Sequence, residues 1–191
     1  IAAVLVIVLA IVAGGFALLQ PLSPDRLMAR APRPATQILD RNGRLLYEIL
    51  DTETGRHREI ALDEMPLYLR QATIATEDAS FYANPGVDLW SIVRAAWINL
   101  RGGEVLAGGS TITQQVARIL ILSPEERAER TLARKLKESI LAYRLARQFS
   151  KDEVLALYMN QAYYGSMAYG VEAAAQTYFA KPARELDLAE C

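Results

Sequence analysis

Glu77-Asp78-Ala79-Ser80-Phe81 places an acid pair ahead of a polar run, Gly108-Gly109-Ser110-Thr111-Ile112-Thr113-Gln114-Gln115. Further on, Arg130-Thr131-Leu132-Ala133-Arg134-Lys135-Leu136-Lys137-Glu138 is a basic block that ends in a second carboxylate. A carboxylate set against aromatic rings, as Glu77 is by Phe81 and Tyr82, is desolvated and becomes a usable acid or base. The glycine-opened run offers free N–H groups at a helix start, which favour anions, with Gln114, Gln115 and Arg118 within two turns. The basic block supplies cations for phosphate. Each motif also has an ordinary reading. Glu77 and Asp78 read equally as solvated acids at a helix end, Thr111 as a plain helix cap, and Arg130, Arg134 and Glu138 as an i,i+4 salt-bridge ladder. The glycine run lacks the lysine-serine ending of a nucleotide-binding loop.

The elements that must carry these residues are mainly helical. Ile38 to Tyr47 reads as a small hairpin turning at Asn42-Gly43. Asp63 caps a helix with Pro66 in its first turn, running to Glu77. A second helix starts at Asp88 and carries Leu89, Ile92, Val93, Ala96 and Leu100 at helical spacing. A third starts at Ser110 or Thr111 and runs to Leu122. Ser123-Pro124-Glu125-Glu126 opens a fourth that extends to Arg147, with Leu132, Leu136 and Ile140 as its core-facing stripe and Arg130, Arg134 and Glu138 on the opposite face. Ser150-Lys151-Asp152-Glu153 is a capping box opening a fifth, which Gly165 closes. A last helix spans Gly170 to Phe179. Tyr158 and its neighbours read as core.

Composition narrows the function classes. The 191 residues carry 21 Lys/Arg against 22 Asp/Glu, so no global charge points to nucleic acid. Between Ser110 and Ser150, however, eight Lys/Arg face four acids. Cys191 is the single cysteine, which excludes an internal disulfide and a zinc motif. Ile1 to Leu19 holds no charged residue and has about the length of a membrane span. Gln20-Pro21-Leu22-Ser23-Pro24 makes a poor cleavage site, so the segment reads as an uncleaved anchor. The proline-rich stretch from Pro21 to Pro34 reads as a stalk. Arg26, Arg30 and Arg33 alone lean towards a cytoplasmic domain.

Taken in order, these blocks resemble the glycosyltransferase (transglycosylase) domain of class A penicillin-binding proteins and monofunctional peptidoglycan glycosyltransferases. Five blocks between Ala75 and Lys181 match, among them Gly-Ser-Thr-Ile-Thr-Gln-Gln and the Tyr158-Met159-Asn160…Tyr163-Tyr164-Gly165 block. The resemblance implies a mainly α, lysozyme-like domain with a small N-terminal β-hairpin, preceded by a transmembrane helix. Residues 1–20 are then the anchor, 21–35 the stalk and 36–191 the glycosyltransferase domain, expected to be cut short at its C-terminus.

The implied activity is polymerisation of lipid II into glycan strands with release of undecaprenyl pyrophosphate. Glu77 is the implied general base, and Glu138 the second catalytic acid and the ligand of Mg²⁺ or Mn²⁺. The substrate-binding set is Asp78, Ser110, Thr111, Gln114, Gln115, Arg118, Arg130, Arg134, Lys135 and Lys137. The implied location is the bacterial cell membrane, single-pass, with the domain outside the cytoplasm, which overrides the basic cue of the stalk. Implied partners are lipid II, the growing strand, the membrane and a cell-wall synthesis complex. Asn84 stands where the family has a His. A lysozyme-like glycan-cleaving enzyme and a catalytically weak cell-wall scaffold are the competing functions.

Overall fold

The computed structural model describes residues 36–42, 45–49, 55–88, 110–129 and 131–191. Strands β1 (Thr36–Leu39) and β2 (Leu45–Ile49) form the expected antiparallel hairpin, pairing Thr36 with Ile49 and Ile38 with Tyr47. The Asn42 N–H donates to the Asp40 carboxylate at 2.8 Å, an Asx-type contact that bends the chain into the turn. Strand β3 (Arg56–His57) pairs in parallel with β4 (Ala168–Tyr169), which ties the start of the domain to its end.

The helices are α1 (Leu67–Glu77), α2 (Ile112–Leu120), α3 (Pro124–Ala128), α4 (Leu132–Gln148), α5 (Lys151–Gln161) and α6 (Val171–Phe179). Short 3₁₀ turns precede α1 at Leu62–Glu64 and follow α6 at Ala183–Glu185. Mainly helical structure with small strands is therefore borne out. The helix expected from Asp88 lies, from residue 89 on, outside the described residues. So do the anchor and stalk. Among the described residues, no helix is long and apolar enough to cross a membrane.

Three boundaries differ from the sequence reading. Asp63 belongs to the separate 3₁₀ turn, and Pro66 is the N-cap of α1 rather than part of its first turn. The expected fourth helix is two helices. Thr131 accepts the Arg134 N–H at 3.1 Å and starts α4 afresh after an extended Glu129; the hydroxyl satisfies a helix-start donor that continuous helix would leave to the backbone. Finally, α5 ends at Gln161, with Ala162 extended, so Gly165 is in the turn beyond it.

Helix α2 packs between α4 and α5. Its buried face is Ile112, Val116, Ala117 and Leu120, set against Leu145 of α4 and Leu155 and Met159 of α5. These positions recur every three to four residues, so one stripe leaves water. Helix α4 is rotated from the expected orientation. Leu136 is 63% exposed, whereas Glu138, Leu141, Ala142 and Leu145 are buried. Leu141, Ala142 and Leu145 are the apolar stripe that packs into the core, and Gln114 of α2, itself buried, donates to the Ser139 hydroxyl of α4 at 2.8 Å, which satisfies a buried amide.

Candidate active site

Glu77 is the last residue of α1, with its side chain exposed. Its carboxylate accepts a hydrogen bond from the Gln115 amide of α2 at 2.7 Å, across 38 positions of sequence. The aromatic pair beside it in sequence does not wall it in. Phe81 is in the core, and the Tyr82 hydroxyl donates to Asp152 at 2.9 Å. The rings that feel the Glu77 charge are Tyr158 and Tyr164. Burial, then Glu77, pushes the Tyr158 phenol up to about 12, against the pull of Arg118. The Tyr164 phenol is raised by desolvation first and by the charges of Tyr158 and Glu77 second. Sequence placed Tyr158 in the core; only the packing of α5 beside α2 shows that it also faces the acid.

Asp78 turns the other way. It is 8% exposed, and its oxygens accept from the Ser80 hydroxyl at 3.1 Å, from the Asn84 amide at 3.0 Å and from the Ile112 N–H at 3.2 Å. The anion expected at the start of α2 is thus the protein's own carboxylate, placed where helix N–H groups favour it. Thr111 and Gln114 are likewise occupied by the helix start. The Thr111 hydroxyl accepts the Gln114 N–H at 3.1 Å and donates to the Gly86 carbonyl at 2.7 Å, while the Gln114 carbonyl accepts the Thr111 N–H at 3.0 Å. Three residues read as substrate-binding therefore hold α2 in place, with their polar atoms directed inward.

Asn84, at the position of the family's His, donates to both Asp78 oxygens. Its carbonyl accepts from the Gly86 N–H at 2.9 Å and from the Lys151 ammonium at 3.2 Å. An amide supplies both donor and acceptor, so the loop after α1 keeps its support.

The cations gather between α2 and α4. Arg118, one turn beyond Gln115, makes no hydrogen bond or ion pair among the described residues, and its charge acts on Lys135 and on Tyr158. Lys135 donates to the Ser110 hydroxyl and, at 3.3 Å, to Glu138. Burial lowers the Lys135 ammonium, Glu138 holds it up, and Arg118 and Arg134 press it down again. Arg134 pairs with Glu138 one turn along α4. Lys137 pairs instead with Glu126 of α3, so it points away from this cluster. Arg130 lies outside the described residues.

Glu138 is 1% exposed and clamped by Arg134 and Lys135. Mg²⁺ requires oxygen ligands free to face it and usually keeps several waters. A carboxylate this enclosed, with both oxygens taken by cations, does not fit that role, and among the described residues no three His, Cys, Asp or Glu gather to hold a metal. Glu138 instead sets the positions of the two cations.

Asn160, in the middle of the Tyr-Met-Asn block, is a clamp. Its side chain exchanges two hydrogen bonds with the Ile60 backbone, at 3.1 and 3.0 Å, and its carbonyl accepts from His57 at 3.0 Å.

The geometry is thus an exposed acid at the end of α1, held by an amide of α2 that lies one turn from Arg118, on a mainly helical domain. Residues 42–191 match the Transglycosylase family, and the chain belongs to it. Penicillin-binding protein 1A of Aquifex aeolicus is 42% identical over 98% of this chain and 26% of its own length. Penicillin-binding protein 1A of Neisseria cinerea is 43% identical over 88% of this chain and 20% of its own, and that of Rickettsia conorii 43% over 83% and 20%. The chain spans about a quarter or less of these relatives. The resemblance drawn from the five blocks is borne out.

Proposed function

We propose that this domain is a peptidoglycan glycosyltransferase that extends a glycan strand from lipid II with loss of the polyprenyl pyrophosphate. One observation carries the reading: Glu77 and the cations Arg118 and Lys135 act on one stretch of surface, since Gln115 binds Glu77 and Arg118 follows it on α2. Glu77 takes the proton from the acceptor sugar hydroxyl. That oxygen bonds to the anomeric carbon of the donor from the side opposite the pyrophosphate. The carbon–phosphate oxygen bond breaks, its electron pair leaves with the pyrophosphate, and the configuration inverts. Arg118 and Lys135 stabilise the charge that develops on the leaving group. Gln115 orients the Glu77 carboxylate for the proton.

A glycan-cleaving enzyme would need an acid and a water but no pyrophosphate-binding cations, which is why Arg118 and Lys135, close enough for their charges to interact, favour transfer. The apolar run Ile1–Leu19 serves in this reading as a single-pass anchor that keeps the domain at the outer membrane surface beside its lipid-borne donor. Incubating the protein with labelled lipid II separates the readings. Polymer with released polyprenyl pyrophosphate supports transfer, fragmentation of added glycan supports cleavage, and neither product supports a scaffold.

A further inference from the structure

Lys151 opens α5 and is not part of the cation cluster around Glu138. Its ammonium donates to the Asn84 carbonyl at 3.2 Å and sits 4.6 Å over the Phe81 ring. Asn84 passes the contact on, donating to both oxygens of Asp78 at 3.0 Å. Asp78 in turn accepts the Ile112 N–H at 3.2 Å. The line Lys151–Asn84–Asp78–Ile112 therefore joins the starts of α5 and α2 to the end of α1.

Two of its members, Asp78 and Ile112, bracket the acid. Asp78 directly follows Glu77, and Ile112 is three residues before Gln115, the residue that holds the Glu77 carboxylate. If Asp78 shifts against Ile112, Glu77 shifts against Gln115. Asp78 is a buried carboxylate and needs a compensating charge. Asn84 is neutral, so it supplies hydrogen bonds only. Lys151 is a cation whose charge interacts with that of Asp78.

We propose that Lys151 and Asn84 are positioning residues for Glu77, holding Asp78 in the orientation that sets the Glu77–Gln115 contact. The inference rests on Glu77 being the general base.

The test uses the full-length, membrane-embedded protein and labelled lipid II, with kcat, KM and Tm measured on each variant. Lys151→Met lowers kcat about 10- to 100-fold, the scale of a small misplacement of a reacting group, while KM stays within about twofold because the polar atoms of the line are engaged with one another. Lys151→Arg recovers most of that loss. An unchanged kcat overturns the proposal, as does a raised KM at constant kcat, which would make Lys151 a substrate contact. Should Lys151→Met fail to fold, the exchange Asp78→Asn with Asn84→Asp decides. The exchanged acid faces Lys151 and the Gly86 N–H, and the exchanged amide can still accept from Ile112. Activity recovered relative to Asp78→Asn alone supports the line; no recovery overturns it. Glu77→Gln run in parallel keeps the two readings apart. If that variant stays active, the base assignment fails. If it is inactive while Lys151→Met matches wild type, only the positioning role fails.

Discussion

Gln115 reaches from the second turn of α2 to the carboxylate that ends α1, donating to Glu77 at 2.7 Å. The same helix carries Arg118 on the adjoining turn, so one element fixes both the acid and a cation. Gln115→Ala should leave the fold intact, because the side chain lies at the edge of the core, and should lower kcat by roughly tenfold, the scale of one oriented hydrogen bond to a charged group. Steady-state polymerisation of lipid II alongside a melting curve checks both parts. A loss confined to Tm would remove Gln115 from the site.

Glu138 gives the opposite expectation. Its side chain is buried between Arg134 and Lys135. Glu138→Gln removes the negative charge and leaves two cations facing each other, which should destabilise the domain by about 3–5 kcal/mol, the usual cost of breaking a buried ion pair. A Mg²⁺ titration of activity should keep the wild-type midpoint in any folded fraction. A normal Tm with a shifted Mg²⁺ midpoint would return Glu138 to the role of metal ligand.

The start of α2 is a third test. Thr111→Val keeps the shape but removes an acceptor for the Gln114 N–H and a donor to the Gly86 carbonyl. Loss of such a cap costs about 0.5–2 kcal/mol, read as a lower denaturation midpoint at constant slope. Gly86→Ala should cost more. Gly86 has φ +93°, and an added Cβ would stand 2.8 Å from the Ala142 carbonyl oxygen of α4, so strain and overlap add.

His57 makes stability depend on pH. Burial holds its imidazole below the ordinary 6.5, against the pull of Glu59 and the Asn160 carbonyl. Nε2 donates to that carbonyl, and Nδ1 is buried with no hydrogen-bond partner among the described residues, so a second ring proton would find no acceptor among them. The folded pKa is depressed relative to the unfolded one. The stabilising contribution is therefore complete above pH 6.5 and is lost as pH falls through the lower folded value. Unfolding free energy measured between pH 7 and pH 5 should fall in wild type and fall less in His57→Gln. Equal slopes would contradict this.

What the sequence made legible was local. Thr111, Ser123 and Ser150 announced the starts of α2, α3 and α5, since a cap is written in three or four adjacent residues. The acid and the cations were legible as types. Their partners were not. Nothing near Glu77 names Gln115, and nothing near Asp78 says that it completes the start of α2 rather than facing substrate. The facing of α4 was misread because Leu132, Leu136 and Ile140 have helical spacing, but so do Glu138, Leu141, Ala142 and Leu145. The choice between the two stripes rests on contacts between helices that periodicity does not record, core packing of Leu141 and Leu145 and the Gln114–Ser139 hydrogen bond among them. Asn84 stands where the family has a His, and only the contacts with Asp78, Gly86 and Lys151 show that it supports its loop.

The central claim is that Glu77 is the general base of glycan transfer, and the most direct measurement is turnover of labelled lipid II by Glu77→Gln. The exposed amide should leave Tm unchanged and lower kcat by about 10²–10⁴-fold, since it keeps the shape but cannot take the proton. Wild-type turnover by a folded Glu77→Gln protein would contradict the account.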